Sequence, residues 1–203
     1  MDAIEKDLLL QIADLHGVPE GAYSIRKNGE SQKMSTANIQ IVEKKDGKSG
    51  IDIYIKANTK NESMHIPVIL SKAGFQELVY NDFHIGENAD VVIIAGCGIH
   101  NCGGVETTSR HDGVHTFYVG KNARVKYVEK HYGAGEGTGE RVMNPTTVVE
   151  LAEGAYMEME TTQIKGIDSS NRITKAELNA NSTFIVKEKF NAKAVYSFGA
   201  KLA

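Results

Sequence analysis

The hydrophobic pattern of the chain changes period once, near residue 38. Before that point Ile4, Leu8, Ile12 and Leu15 recur at helical spacing and mark one apolar face. Asp2 and Glu5 stand three apart, as in a capping box, and Gly17 followed by Pro19 is expected to stop the helix. Such a face packs on the domain behind it or, alternatively, docks in a partner's groove. The polar stretch from Tyr23 to Ala37 predicts a loop with a turn at Asn28-Gly29. From Asn38 the period becomes two. Ile39 and Ile41, then Ile51, Ile53 and Ile55 across Asp46-Gly47, predict a hairpin with one buried face. Met64 to Leu70 predicts another strand, and Ser71 to Leu78 a short helical turn.

After residue 80 the chain repeats. Ile85-Gly86-Glu87-Asn88-Ala89-Asp90-Val91 returns 34 residues later as Val119-Gly120-Lys121-Asn122-Ala123-Arg124-Val125. Weaker echoes are Ala152 to Glu158 and Asn179 to Ile185. Each copy is a turn followed by alternating apolar and polar residues. A turn–strand unit of this kind cannot bury its apolar side alone, so stacked rungs must cover one another. The expected fold is mostly β: a right-handed parallel β-helix, or β-solenoid, preceded by an amphipathic helix and a β-hairpin region. A jelly roll or two-sheet sandwich is the alternative. The expected divisions are helix and loop over 1–37, a strand-rich region over 38–80, rungs over 81–189 and a divergent tail over 190–203.

Composition narrows the class. The chain has 203 residues, 41% hydrophobic, with a net charge of -3, which predicts one globular domain and argues against a general nucleic-acid binder. No apolar run approaches the roughly 20 residues that span a bilayer, the start lacks the pattern of a secretory signal, and two cysteines make no disulfide scaffold. A cytoplasmic protein without membrane insertion is expected. Twenty glycines against three prolines fit many turns between short strands.

The densest polar cluster runs from Cys97 to His115. Cys97, Cys102, His111 and His115 have the residue types of a tetrahedral zinc site, although the loop between the pairs is short and the histidines lie on a strand-like run. In the competing reading Cys97 ends a buried strand and Cys102 sits in a glycine-rich surface loop. A cupin-type site from His111, His115 and Glu129 lacks the segments that would complete it. Gly133 to Gly139 is not followed by Gly-Lys-Ser/Thr, so it predicts a loop between rungs rather than a phosphate cradle. Glu158 and Glu160 share one strand face and are expected to form an outward acidic stripe. No nucleophile elbow is present. These features favour a binding or assembly module over an enzyme.

Several segments together resemble the SufB/SufD family, and more closely its short single-gene form in anaerobic bacteria and archaea. They are Asp14 to Tyr23, Ala95-Gly96-Cys97-Gly98-Ile99-His100-Asn101, His111-Asp112-Gly113-Val114-His115, Gly120 to Tyr127, Met143-Asn144-Pro145-Thr146-Thr147 and Glu158 to Gly166. The resemblance covers about residues 1–188. It implies a β-helical scaffold of the SUF iron–sulfur cluster assembly system, not an enzyme. Such a scaffold works with a SufC-like ABC ATPase and with a SufB/SufD-like second copy, and it carries a transient iron–sulfur cluster. It also implies that Cys97 matches the cysteine associated with sulfur uptake. His131 falls where larger relatives carry an interior glutamine, and a lysine of that interior path falls near Val148. Those relatives continue for about a hundred further residues, including the cysteine, histidine and glutamate associated with the nascent cluster. The chain is therefore expected to be an incomplete scaffold as it stands, and to dimerise or aggregate unless its tail forms a cap.

Overall fold

The computed structural model describes residues 1–104 and 106–190. The expected tail over 190–203 lies outside them, apart from Phe190. Helix α1 (Ala3–Ala13) carries the predicted capping box: the Glu5 amide donates to Asp2 Oδ1 at 2.9 Å, and the Asp2 amide donates to Glu5 Oε2 at 3.0 Å. The helix ends earlier than predicted, on Asp14, whose φ of 55° is left-handed and whose amide donates to the Leu10 carbonyl. Its buried face is Leu8, Leu9 and Ile12, packed on Tyr23, Ile25, Ile69 and Tyr132; Ile4 is exposed. The close approach is made possible by Gly96, where a Cβ would stand 2.8 Å from the Ile12 carbonyl oxygen.

The segment predicted as a loop is a second hairpin. Strands β1 (Ala22–Lys27) and β2 (Glu30–Met34) pair antiparallel about Asn28-Gly29. The turn signal was legible, but β2 is an edge strand without an apolar face, so its sequence, Glu-Ser-Gln-Lys-Met, carries no period-two hydrophobic signal. Strands β3 (Ile39–Glu43) and β4 (Gly50–Ile55) form the predicted hairpin, with Ile39 opposite Ile55 and Ile41 opposite Ile53.

From β4 onward every new pairing is parallel. The chain winds through β5 (Lys60–Leu70), β6 (Gln76–Ile85), β7 (Asp90–His100), β8 (Ser109–Val119) and β9 (Arg124–Ala134). It continues through β10 (Arg141–Met143), β11 (Thr146–Leu151), β12 (Tyr156–Lys165), β13 (Ser169–Ser170), β14 (Ile173–Leu178) and β15 (Thr183–Phe190). One sheet has the order β15-β12-β9-β7-β5-β1-β2, the other β13-β10-β8-β6-β4-β3, with β11 lying between β8 and β14. The result is a parallel β-solenoid of about four turns, with strands making up 59% of the structure. The stack thus begins at β4, ahead of residue 81. Residues 71–78 hold a tight turn and the start of β6, not a helical turn. Among the described residues no helix is long and apolar enough to cross a membrane.

The repeated motif is the sharp corner between the two sheets. Asn58, Asn88, Asn122, Gly154 and Asn181 hold the left-handed position at φ 62°, 56°, 55°, 69° and 57°. This conformation is least costly for asparagine and glycine, which explains the residue choice. The first four of these amides donate to the corner of the next rung, as Asn58 does to Glu87 O at 2.8 Å and Asn122 to Glu153 O at 3.1 Å. The small residues Ala89, Ala123 and Ala155 turn inward just after the bend. Close to the corners the interior is apolar. Ile53, Phe83, Phe117 and Val149 form one inward column, and the Phe83 and Phe117 rings stack at 4.4 Å and 4°.

Candidate functional site

Away from the corners the same inward columns become polar. Period two sends Glu77, Val79 and Asn81 of β6 inward, then His111, Gly113 and His115 of β8, and Tyr127, Glu129 and His131 of β9. Parallel register stacks inward positions on inward positions across rungs: Glu77 opposite His111, Asn81 opposite His115, and Cys97 opposite His131. A narrow cavity of about 20 Å³ lies between the sheets, lined by Cys97, His111, Gly113, His115, Glu129 and His131. It has room for about one water-sized group.

Two hydrogen-bonded chains support it. In the first, the Ile51 amide donates to Asn81 Oδ1 at 3.3 Å, and Asn81 Nδ2 lies 3.2 Å from His115 Nε2. His115 Nδ1 lies 2.7 Å from the Tyr127 hydroxyl, which donates to Glu129 Oε1 at 3.1 Å. The donor order is self-consistent only if His115 is neutral with its proton on Nδ1, because Asn81 Nδ2 can only donate. Arg172 Nη2 then donates to Glu129 Oε2 at 2.7 Å, and His131 Nε2 lies 3.5 Å from Oε1. In the second chain Arg26 Nε donates to Glu77 Oε2 at 2.8 Å, and Glu77 Oε1 lies 3.0 Å from His111 Nδ1.

Burial and charge set the protonation states. Burial drives His115 down to about 4, against the pull of Glu129. Burial opposes ionisation of Glu129, but Arg172 and His131 together hold it well below the usual carboxylate range. Glu77 is likewise penalised by burial and yet lowered by His111 and Arg26. Burial, with Glu77 and Glu129 adding to it, pushes the Cys97 thiol well above its ordinary value. Cys97 is therefore a neutral thiol at physiological pH. Tyr127 is raised for the same reasons, burial first and the Glu129 charge second.

The structure brings Cys97, His111, His115 and His131 around one cavity and leaves Cys102 exposed in the loop beyond β7. Cys97 does not end its strand; β7 continues to His100 with Cys97 inside it. The four-residue zinc set is not assembled. Cys102 is outside the cavity, and both nitrogens of His115 are engaged, one by Asn81 and one by Tyr127. Among the described residues no three His, Cys, Asp or Glu side chains are grouped to hold a metal ion. His111, His115 and Glu129, weighed for a cupin-type site, meet here as parts of the hydrogen-bonded chains. Val148 alternates with the inward Thr147 and Val149 and so does not join the interior path. Glu158 and Glu160 lie outward and pair with Lys126 and Lys187.

Sequence reasoning missed Glu77, Asn81, Tyr127 and Arg172. The first three carried a usable signal, since each occupies an inward position two residues from an apolar inward neighbour, Val79 for Glu77 and Asn81 and Val125 for Tyr127. Arg172 follows a two-residue strand with no period at all, and only the rung stacking places it. No family model, no curated protein and no solved structure matches the chain.

Proposed function

We propose that the chain is a cytoplasmic scaffold of the SUF type, in which Cys97 accepts sulfur inside a β-solenoid for iron–sulfur cluster assembly. The resemblance of its motifs to the SufB/SufD family motivates the reading. The observation that carries it is the pairing of Cys97 with His131 on adjacent rungs, both inward, on a cavity also lined by His111, His115 and Glu129. A cysteine suits this role because its sulfur forms and releases S–S bonds without an added oxidant when the donor is already a persulfide. Nascent cluster is cargo of such a scaffold. Its partners would be a SufC-like ABC ATPase and a second SufB/SufD-like copy. Strand β15 is the outermost described strand of its sheet.

The test is co-purification of the full chain with a SufC-type ATPase from the same source, with and without ATP. Stoichiometric association is the expected result. A folded chain that fails to bind under both conditions would remove the scaffold reading.

A further inference from the structure

The polar cavity contains a base as well as a thiol. Glu77 is held ionised between Arg26 and His111, so it can only accept, and His111 must donate to it from Nδ1. In the neutral ring the lone pair then belongs to Nε2. That nitrogen points toward the inward face of Gly113: a Cβ there would stand 3.2 Å from His111 Nε2 and 3.6 Å from His115 Nε2. His115 Nε2 is already engaged by Asn81. Gly113 has no left-handed φ to satisfy, so its lack of a side chain serves space. The missing methyl group leaves space beside His111 in the small cavity that Cys97 also lines.

We infer that His111, oriented by Glu77 and Arg26, is the proton acceptor that activates Cys97, and that the cavity receives one sulfur atom, the terminal sulfur of a small inorganic polysulfide that acts as donor. The inference rests on the sulfur-acceptor reading above. Cys97 passes its proton to His111 Nε2, and the thiolate attacks one sulfur of the donor's S–S bond. A bond forms between the Cys97 sulfur and that atom as the donor S–S bond breaks. The hydrosulfide that leaves takes the proton back from His111. With disulfane as donor, Cys97–SH and HS–SH become Cys97–S–SH and H₂S, so atoms and charge balance and no other oxidant is needed. A base is required because burial keeps the thiol protonated. The other charged or titratable groups facing the pair are Arg26 and Glu77 behind His111, His115 beside it, and Tyr127, Glu129, His131 and Arg172 across the cavity.

The experiment treats the full chain carrying Cys102→Ser with sodium polysulfide and follows the gain of one sulfur, 32 Da, on Cys97 by mass spectrometry from pH 6 to pH 10. His111→Gln is expected to slow labelling about 100-fold at pH 7, the usual worth of a positioned base, with the loss shrinking toward pH 10 as hydroxide takes over. Gly113→Ala is expected to suppress labelling at every pH by filling the cavity. Glu77→Gln, which leaves the ring in place, should lower the rate at pH 7 less than His111→Gln does, and it serves if that variant does not fold. Labelling of His111→Gln at the parental rate, or a loss equal at all pH values, would overturn the assignment of the base. Parental labelling of Gly113→Ala would overturn the cavity as the route. If Cys97 in the parent takes up no sulfur, the sulfur-acceptor reading itself falls and the inference with it, whatever the result of the ATPase co-purification.

Discussion

The two halves of the solenoid interior are built on one backbone plan and filled in opposite ways. Near the corners the inward columns are Ile53, Phe83, Phe117 and Val149, which pack without a polar atom. Two residues away along the strands, the neighbouring inward column holds Asn81, His115 and Thr147, and across the cavity Glu129, Thr161 and Glu188 follow Ala95. The first half supplies the burial that holds the rungs together; the second spends part of that stability on charged groups. A solenoid built for stability alone has no use for Arg172 and Glu129 inside, since well-packed apolar residues of similar size are commonly as stable or more so. The polar half is the part of the molecule that calls for a functional explanation.

This contrast can be broken from either side. The largest loss of stability is expected for Phe117→Ala, about 4 kcal/mol, because it removes a fully buried ring and leaves a cavity between stacked rungs. Urea unfolding would measure it, and a loss below about 1 kcal/mol would mean that the corner half is not the stabilising core. Arg172→Met should cost about 3 kcal/mol by leaving Glu129 buried without its cation. The same variant should flatten the fall of stability in acid, because Glu129 without Arg172 is no longer held so far below the usual carboxylate range. A smaller loss of stability comes from pH alone. His115 stays neutral in the folded state down to about pH 4, whereas the unfolded chain protonates it near 6.5. Stability is therefore full above pH 6.5 and declines as pH falls from 6.5 toward 4, by up to about 3 kcal/mol. Glu129 adds to the decline at lower pH, because its depressed folded value makes its contribution vanish as the carboxylate is protonated. Unfolding curves at pH 7, 5.5 and 4.5 would show it, and His115→Gln should flatten the slope over that window. The smallest change sharpens the corner side: Asn122→Ala should cost about 1–2 kcal/mol by forcing a Cβ residue into the left-handed position, whereas Asn122→Gly should be close to neutral. Thermal melts of the two variants side by side would decide this.

Much of this architecture was legible in the chain. The Ile-Gly-x-Asn-Ala-x-Val motif marked the corners because only asparagine or glycine suits that backbone, so the residue choice survives where strand sequences drift. The earliest corner escaped because Asn58 is followed by Thr59 and the rung ahead of it reads as an ordinary hairpin. Hairpin β1–β2 escaped because one of its strands is polar on both faces. The site was legible in part: Cys97, His111 and His115 stood out as chemistry-bearing residues, but the spacing grouped Cys102 with them, and His131 entered only through the resemblance. Linear spacing measures distance along one strand, whereas the cavity is assembled across rungs roughly thirty residues apart. Arg172 could be found only once β11 and β14 were known to be neighbours.

The ladder of asparagine corners also bears on how the chain reaches this shape. Each corner is hydrogen-bonded to the one that follows it, and each strand pairs with strands one coil away, as Ile85 does with Val119. A finished coil is thus a template for the next, and the parallel pairing at each step closes a loop of only a single coil. Such a chain can wind up in order behind the ribosome, each new bend fixed in phase by the amide of the bend before it, and α1 docking once β9 has formed.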